Sequence, residues 1–248
     1  MRTKLLYPGT NSMIEFELER GEAIKAESGA MIGMSTTIDL EGKLEGGLLG
    51  GITRMFSGEN FFFQTLRANR GPGNVLLAQS MPGDVVILDL DGTVEYNVQK
   101  NGFLAGEEGI TVSTKAQNIA QGFFSGEGFF ILKIGGRGKL VISSFGAIHE
   151  VSLAPGEDYV VDNNHLVAWP TTTPYTIDKA SKGWISSFTS GEGLVCKFRG
   201  PGKIYIQTRN TQAFGSWVRK LIPVQSSSSS SGLDLAGDIA GGVMDLLN

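Results

Sequence analysis

Cysteine, histidine and long apolar runs are all scarce in this 248-residue chain, and each shortage removes a class of function. The lone cysteine, Cys196, has no partner for an internal disulfide, which excludes a disulfide scaffold and fits a reducing compartment. Set between Val195 and Lys197 in a β-like run, it reads as a small buried hydrophobe rather than a nucleophile. The two histidines, His149 and His165, show no His-x-His pair, whereas a metal centre needs clustered ligands. No metal and no cofactor are expected. No stretch approaches the roughly 18–20 apolar residues of a membrane helix. Leu5-Leu6-Tyr7 meets Pro8-Gly9 at once, so no signal-peptide core is read there and a cytoplasmic location is expected. Basic charge is short too: 21 Lys and Arg against 25 Asp and Glu leave a net charge of −4, the wrong sign for nucleic-acid binding by net charge.

Motifs of known chemistry are equally sparse. Gly42-Lys43, Gly138-Lys139 and Gly202-Lys203 are followed by Leu, Leu and Ile, so no phosphate loop forms. A Gly-x-Ser-x-Gly elbow is absent, and Cys196 has no catalytic partner in sequence. Only His165 near Asp162 offers a hydrolase any footing. The chain is therefore expected not to be an enzyme.

What the chain has is glycine. Its 35 glycines are about twice the usual share of roughly 7%. With 41% hydrophobic and 19% charged residues, the chain can fill a core, so the surplus marks many tight turns rather than disorder. The turns recur in order. Ser57-Gly58-Glu59, Ser125-Gly126-Glu127 and Ser190-Gly191-Glu192 each follow an aromatic residue and precede an apolar run. Gly71-Pro72-Gly73, Gly136-Arg137-Gly138 and Gly200-Pro201-Gly202 each lead into a β-forming run. Arg20-Gly21-Glu22, Pro82-Gly83-Asp84 and Pro155-Gly156-Glu157 form a third set. Chance makes any one marker, but three markers in one order, three times, imply triplication of a unit of about 70 residues; one such unit could not bury its apolar face alone, and three could share a core. Within a unit the Gly-x-Gly turn is expected to reverse the chain into a hairpin.

The expected architecture is all-β, with three repeated β-sandwich units around a pseudo-threefold axis and few short helices. The repeats run over roughly 1–80, 81–153 and 154–209, within a domain 1–222. Asn210 or Thr211 caps a helix over 211–221, with Phe214, Trp217, Val218 and Leu221 on one face and Pro223 beyond it. Thr114 to Gln121 offers one more helical turn or two, and Gly46 to Gly51 an apolar loop. Residues 223–248 hold a serine linker and a weak amphipathic tail.

Basic residues crowd the Gly-x-Gly turns: Arg67 and Arg70, Arg137 and Lys139, Arg199 and Lys203. Under threefold symmetry, Arg70, Arg137, Lys139, Arg199 and Lys203 form a candidate anion-binding ring. The turn glutamates Glu59, Glu127 and Glu192 are read as solvated acceptors within their own turns.

Several of these stretches resemble the altered-inheritance-of-mitochondria family. They are Gly46 to Phe62, Ser125-Gly-Glu-Gly-Phe-Phe130, Phe145-Gly146-Ala147, His165-Leu-Val-Ala168 and Gly200-Pro-Gly-Lys-Ile-Tyr-Ile-Gln-Thr-Arg209. The resemblance covers about residues 1 to 222. It implies a fold like the trp RNA-binding attenuation protein, built from double-stranded β-helix units often assembled into homo-oligomers. It implies no enzyme activity and no agreed catalytic residues; eukaryotic members are linked to mitochondrial inner-membrane organisation. The expected function is a non-enzymatic β-scaffold or binding protein that acts as a homo-oligomer. The alternatives are a peripheral membrane or membrane-protein assembly factor, and RNA binding by fold analogy, which fold alone does not confer.

Overall fold

Alternation of apolar and polar residues sets the local structure. In Met13-Ile-Glu-Phe-Glu-Leu18 the side chains of Ile14, Phe16 and Leu18 point inward while Glu15 and Glu17 face out, the period-two pattern of a half-buried strand. The computed structural model describes residues 1–9, 11–41, 63–115, 131–179 and 194–222. Its chain divides into two units, Met1–Thr208 and Arg209–Asn248.

The first unit is built of strands. They begin with β1 (Arg2–Leu6), β2 (Met13–Leu18), β3 (Ala23–Glu27), β4 (Met31–Met34), β5 (Asp39–Glu41), β6 (Phe63–Arg67) and β7 (Gly73–Leu77). Next come β8 (Val85–Asp91), β9 (Tyr96–Gln99), β10 (Phe103–Glu107), β11 (Ile110–Lys115) and the long β12 (Ile131–Ser143). The last are β13 (Ile148–Leu153), β14 (Asp158–Asp162), β15 (Leu166–Pro170), β16 (Tyr175–Lys179), β17 (Leu194–Arg199) and β18 (Gly202–Gln207). Thr114 and Lys115 end β11, in register with Leu132 and Ile131, so the helical turn expected from Thr114 is not formed there; 116–121 lie outside the described residues.

The ladders are antiparallel. β6 lies between β3 and β5, and β7 between β2 and β4. The first part of β12 lies between β9 and β11, and its second part pairs with β8 and β10. β17 lies between β14 and β16, and β18 between β13 and β15. Two further ladders, β10 with β3 and β15 with β9, join these groups. The buried side chains fall into three clusters, around Phe16 and Leu66, around Phe103 and Leu132, and around Trp169 and Phe198.

Two expectations need correction. The Gly-x-Gly segments do not make hairpins. Among the described residues β6 and β7 share no ladder, nor do β17 and β18, and β12 runs straight through Gly136-Arg137-Gly138. The chain leaves one set of neighbours and enters another without turning back. A Cβ on Gly200 would strike the Ala154 carbonyl and lie 2.8 Å from the Leu153 Cβ, so close backbone approach, more than turn geometry, demands glycine there. The second correction concerns Gly83. Gly21 and Gly156 have φ of +89° and +79°, and Gly92 has a φ of +88°; Gly83 is not in the left-handed region. Sequence spacing cannot separate these two glycines, because both precede a β run. Gly58, Gly126 and Gly191, the turn glutamates, the apolar loop 46–51 and the stretch 223–248 lie outside the described residues.

Gly83 instead sits in a junction. Its carbonyl accepts from the Ser12 amide, and the Asp84 carboxylate accepts from the Ser12 hydroxyl at 3.0 Å and the Val85 amide at 2.9 Å. The Asp84 backbone donates to the Gly146 carbonyl and accepts from the Ser144 amide.

The second unit contains helix α1 (Thr211–Leu221). The Asn210 side chain accepts the Ala213 amide at 2.6 Å, satisfying one of the unpaired donors of a first turn. The helix stops two residues before Pro223, where a proline disfavours helical backbone.

Two sites in the first unit make its stability measurable. A Cβ on Gly83 would overlap the Ser144 carbonyl. Gly83→Ala is expected to lower unfolding free energy by about 3 kcal/mol, an overpacking effect at a backbone junction, read by urea denaturation. At the end of β3, half-buried Glu27 has its carboxyl pushed up to about 7 by removal from water, with Lys100 opposing. The proton's stabilising effect is complete below the ordinary carboxyl value of 4.5 and lost as pH rises through 7. Glu27→Gln is therefore expected to stabilise the fold by about 2 kcal/mol at pH 8 and hardly at all at pH 4, since a tenfold change in proton affinity corresponds to about 1.4 kcal/mol; paired urea titrations at the two pH values check it.

Candidate functional site

The basic residues of the expected ring sit where the chain passes between sheets, and each meets a carboxylate. Arg70 pairs with Asp39 at 2.6 Å, Lys139 with Asp89 at 2.6 Å, Arg199 with Asp158 at 3.2 Å and Lys203 with Glu150 at 2.8 Å. Arg137 stands opposite Asp91 across the β8–β12 ladder. The Asp91 carboxyl is held below its ordinary value by the Thr93 hydroxyl and amide first, with Arg137 a smaller influence. Lys203 likewise lowers Glu150, whose carboxylate raises Lys203 in return. Arg70 lies between β6 and β7, and the others are cross-strand pairs; all are exposed to solvent in some degree, a class that adds little to stability. An incoming anion must compete with a carboxylate already in place.

The hydrolase candidates are brought near each other, but their bonds run elsewhere. Asp162 caps a short 3₁₀ turn, Asn163–His165, by accepting the Asn164 amide at 2.9 Å. His165 places Nδ1 2.7 Å from the Gln207 carbonyl, and the Gln207 side-chain amide donates to the Asn164 carbonyl at 3.0 Å. Side chain and turn are thus tied to the end of β18. His149 is exposed on β13, opposite Ile206. Among the described residues no group of three or more His, Cys, Asp or Glu could hold a metal ion.

Cys196 is fully buried, and burial pushes its thiol up to about 12, with Asp162 adding to the shift. A thiol held so far from ionisation is a poor nucleophile at neutral pH. It lies in the cluster of Trp169, whose ring meets Tyr175 and Phe198 edge-on at 5.1 and 5.6 Å. Edge-to-face contacts of this kind add to area burial, and desolvation raises the Tyr175 hydroxyl to about 12.

The surface carries its own signal. Large apolar side chains are exposed on β4 (Met31, Ile32 and Met34), on β14 (Val160) and at the end of α1 (Trp217 and Leu221). The β4 run has no sequence motif; four apolar or small residues, Met31-Ile-Gly-Met34, read as a strand to be buried on both faces. Nothing in the sequence shows which edge stays uncovered, because that depends on pairing. Among the described residues no helix is long and apolar enough to cross a membrane.

Comparison with known proteins gives this architecture a lineage. The chain is 34% identical over 223 residues to an uncharacterised protein of Streptococcus pyogenes, covering 87% of this chain and 88% of that one. A crystal structure of a Streptococcus pyogenes protein superposes with a TM-score of 0.73 at 30% identity, covering 89% of this chain and 99% of the other. The altered inheritance of mitochondria protein 24 of the fungus Verticillium alfalfae is 25% identical over 158 residues, 64% of this chain and 41% of the fungal one. The profile described as mitochondrial biogenesis AIM24 matches residues 4–209, a span that reaches from within β1 to beyond the end of β18. The chain belongs to the AIM24 family, with both bacterial and fungal relatives.

Proposed function

We propose that this protein is a non-enzymatic β-scaffold or binding protein that works by assembling with copies of itself. The observation that carries the reading is the apolar surface on sheet edges: Ile32 is 56% exposed and Val160 47% exposed. An uncovered edge strand with apolar side chains is a template for pairing with another chain. The titratable groups add support, since the described basic side chains of the ring face carboxylates and Cys196 is buried.

The first unit is read as three copies of one β-sandwich around a pseudo-threefold axis. The strand pairing supports the three copies, and of the three ladders that a closed threefold ring would carry two form among the described residues, β10 with β3 and β15 with β9. A central strand between two partners recurs as β6, β12 and β17, and again as β7, the end of β12, and β18. The same one-residue bulge recurs at Ile32, Leu104 and Val167. The glycine turns at 21, 92 and 156 share a left-handed conformation.

Helix α1 favours a second reading, contact with a membrane surface. Trp217 is 57% and Leu221 62% exposed, beside Arg219 and Lys220; an apolar and basic helix of this kind binds at the interface of anionic lipid.

Sedimentation velocity at micromolar concentration is expected to show species heavier than the 26.5 kDa chain; a single-chain species up to tens of micromolar would overturn the assembly reading. For the second reading, flotation with phosphatidylserine-containing vesicles is expected to carry the protein, and Trp217→Ala with Leu221→Ala to reduce the bound fraction at least several-fold. No flotation of the unaltered chain dismisses direct lipid contact.

A further inference from the structure

The chain contains two copies of an interface and the unmatched halves of a third. In the first, β10 pairs with β3, with Ala105 opposite Ala26 and Gly106 opposite Lys25. In the second, β15 pairs with β9, with Ala168 opposite Val98 and Trp169 opposite Asn97. Both incoming strands carry a bulge whose extra residue is Leu104 or Val167. Neither extra residue is wasted: Leu104 joins the core cluster of Ile24 and Leu66, and Val167 that of Val98 and Leu132. Each is 1% exposed or less.

β4 has the same bulge, with Ile32 as its extra residue. Among the described residues its only ladder is to β7, and its other edge is bare. Ile32 is 56% exposed, and a Cβ on Gly33 would meet no atom within 4 Å. The matching bare edge lies at the other end of the first unit. Among the described residues β14 pairs with β17 alone, and Val160 on it is 47% exposed. Glu27, Gln99 and Asp162 end β3, β9 and β14, each four residues before the first residue of β4, β10 and β15. That common spacing aligns Val161 with Ala26 and Val98, and Val160 with Lys25 and Asn97.

We propose that β4 of one chain adds to β14 of a second copy, with Gly33 opposite Val161, Met34 opposite Val160, and Ile32 seated in the second copy's Trp169–Phe198 core. The proposal rests on the self-assembling reading above and on its three units, set in an open series and not closed about the axis, and it names the interface. The occupant is a second copy because the internal ladders already show what covers such an edge, and β4 and β14 of one chain belong to separate sheets that share no ladder among the described residues. Two unlike edges meeting head to tail make a heterologous interface, which grows into a ring or a filament. Main-chain bonds supply the ladder and Ile32 the anchor, the division of labour of strand addition.

Single-cysteine chains test this directly. Met34→Cys chains and Val160→Cys chains, mixed and mildly oxidised, are expected to form a disulfide between unlike chains, while neither chain alone cross-links. Opposed strand residues lie within disulfide reach, and buried Cys196 contributes no background. Ile32→Asp, at an exposed position, is expected to reduce the sedimenting species to the single chain with its far-ultraviolet dichroism unchanged. If unaltered protein assembles but the unlike chains do not cross-link and Ile32→Asp still assembles, this interface is wrong and the assembly reading stands. If a chain carrying both cysteines cross-links only within itself, the edges close on one another and the second-copy occupant is wrong. If unaltered protein stays a single chain, both readings fall.

Discussion

Close approach of backbone to backbone at the glycine crossings is the constraint on which the rest of the fold depends. β12 passes from its ladders with β9 and β11 to those with β8 and β10 inside one strand, and a side chain at the crossing would collide with a neighbouring carbonyl. Gly136, with φ of +95°, would set its Cβ against the Gly109 carbonyl; Gly200 faces the Ala154 carbonyl in the same way. Once the strand crosses, two sheets share one chain and their inner faces enclose a core. The glycine surplus, the apolar alternation and the three clusters of buried side chains all serve that geometry.

Charge at these crossings is held in local balance. Strands that change partners bring basic residues such as Lys203 and Arg199 beside carboxylates on the adjoining strand. Cross-strand pairing favours opposite charges directly opposed, so a cluster of cations in sequence becomes a set of ion pairs in space. The same pairing geometry ties His165 to the end of β18 and Asp162 to its own turn.

The ladders of β10 with β3 and β15 with β9 do more than add hydrogen bonds. Each brings a bulge residue into the core of the adjoining group, Leu104 beside Val85 and Val141 in one case and Val167 beside Ala168 and Tyr205 in the other. A side chain of one group buried in the core of the next ties the two groups together. Ile32 and Val160 are exposed on strands that pair on one edge alone among the described residues, whereas Leu104 and Val167, on strands paired on both edges, are buried. Membership of the AIM24 family sets this arrangement among bacterial and fungal relatives, and the surfaces of the β unit and of α1 carry the functional readings.

Composition and local pattern determined a good deal by themselves. The β character, the capped helix at Thr211–Leu221 and the burial of Cys196 follow from alternation, a capping residue and an apolar setting, all of which act over a few residues. Tertiary structure decided the partners. Gly-x-Gly between two β runs reads the same whether the chain turns back or crosses over, and only the neighbours of β6 and β7, or of β17 and β18, distinguish the two. Gly83 and Gly92 both precede a strand, yet only Gly92 takes the left-handed turn. Arg70 to Lys203 form a basic series along the chain and a set of neutralised pairs in the fold. Met31-Ile-Gly-Met34 has the composition of a buried strand and an exposed edge, because burial belongs to the pairing of distant segments and no local stretch of sequence encodes which segment will cover it.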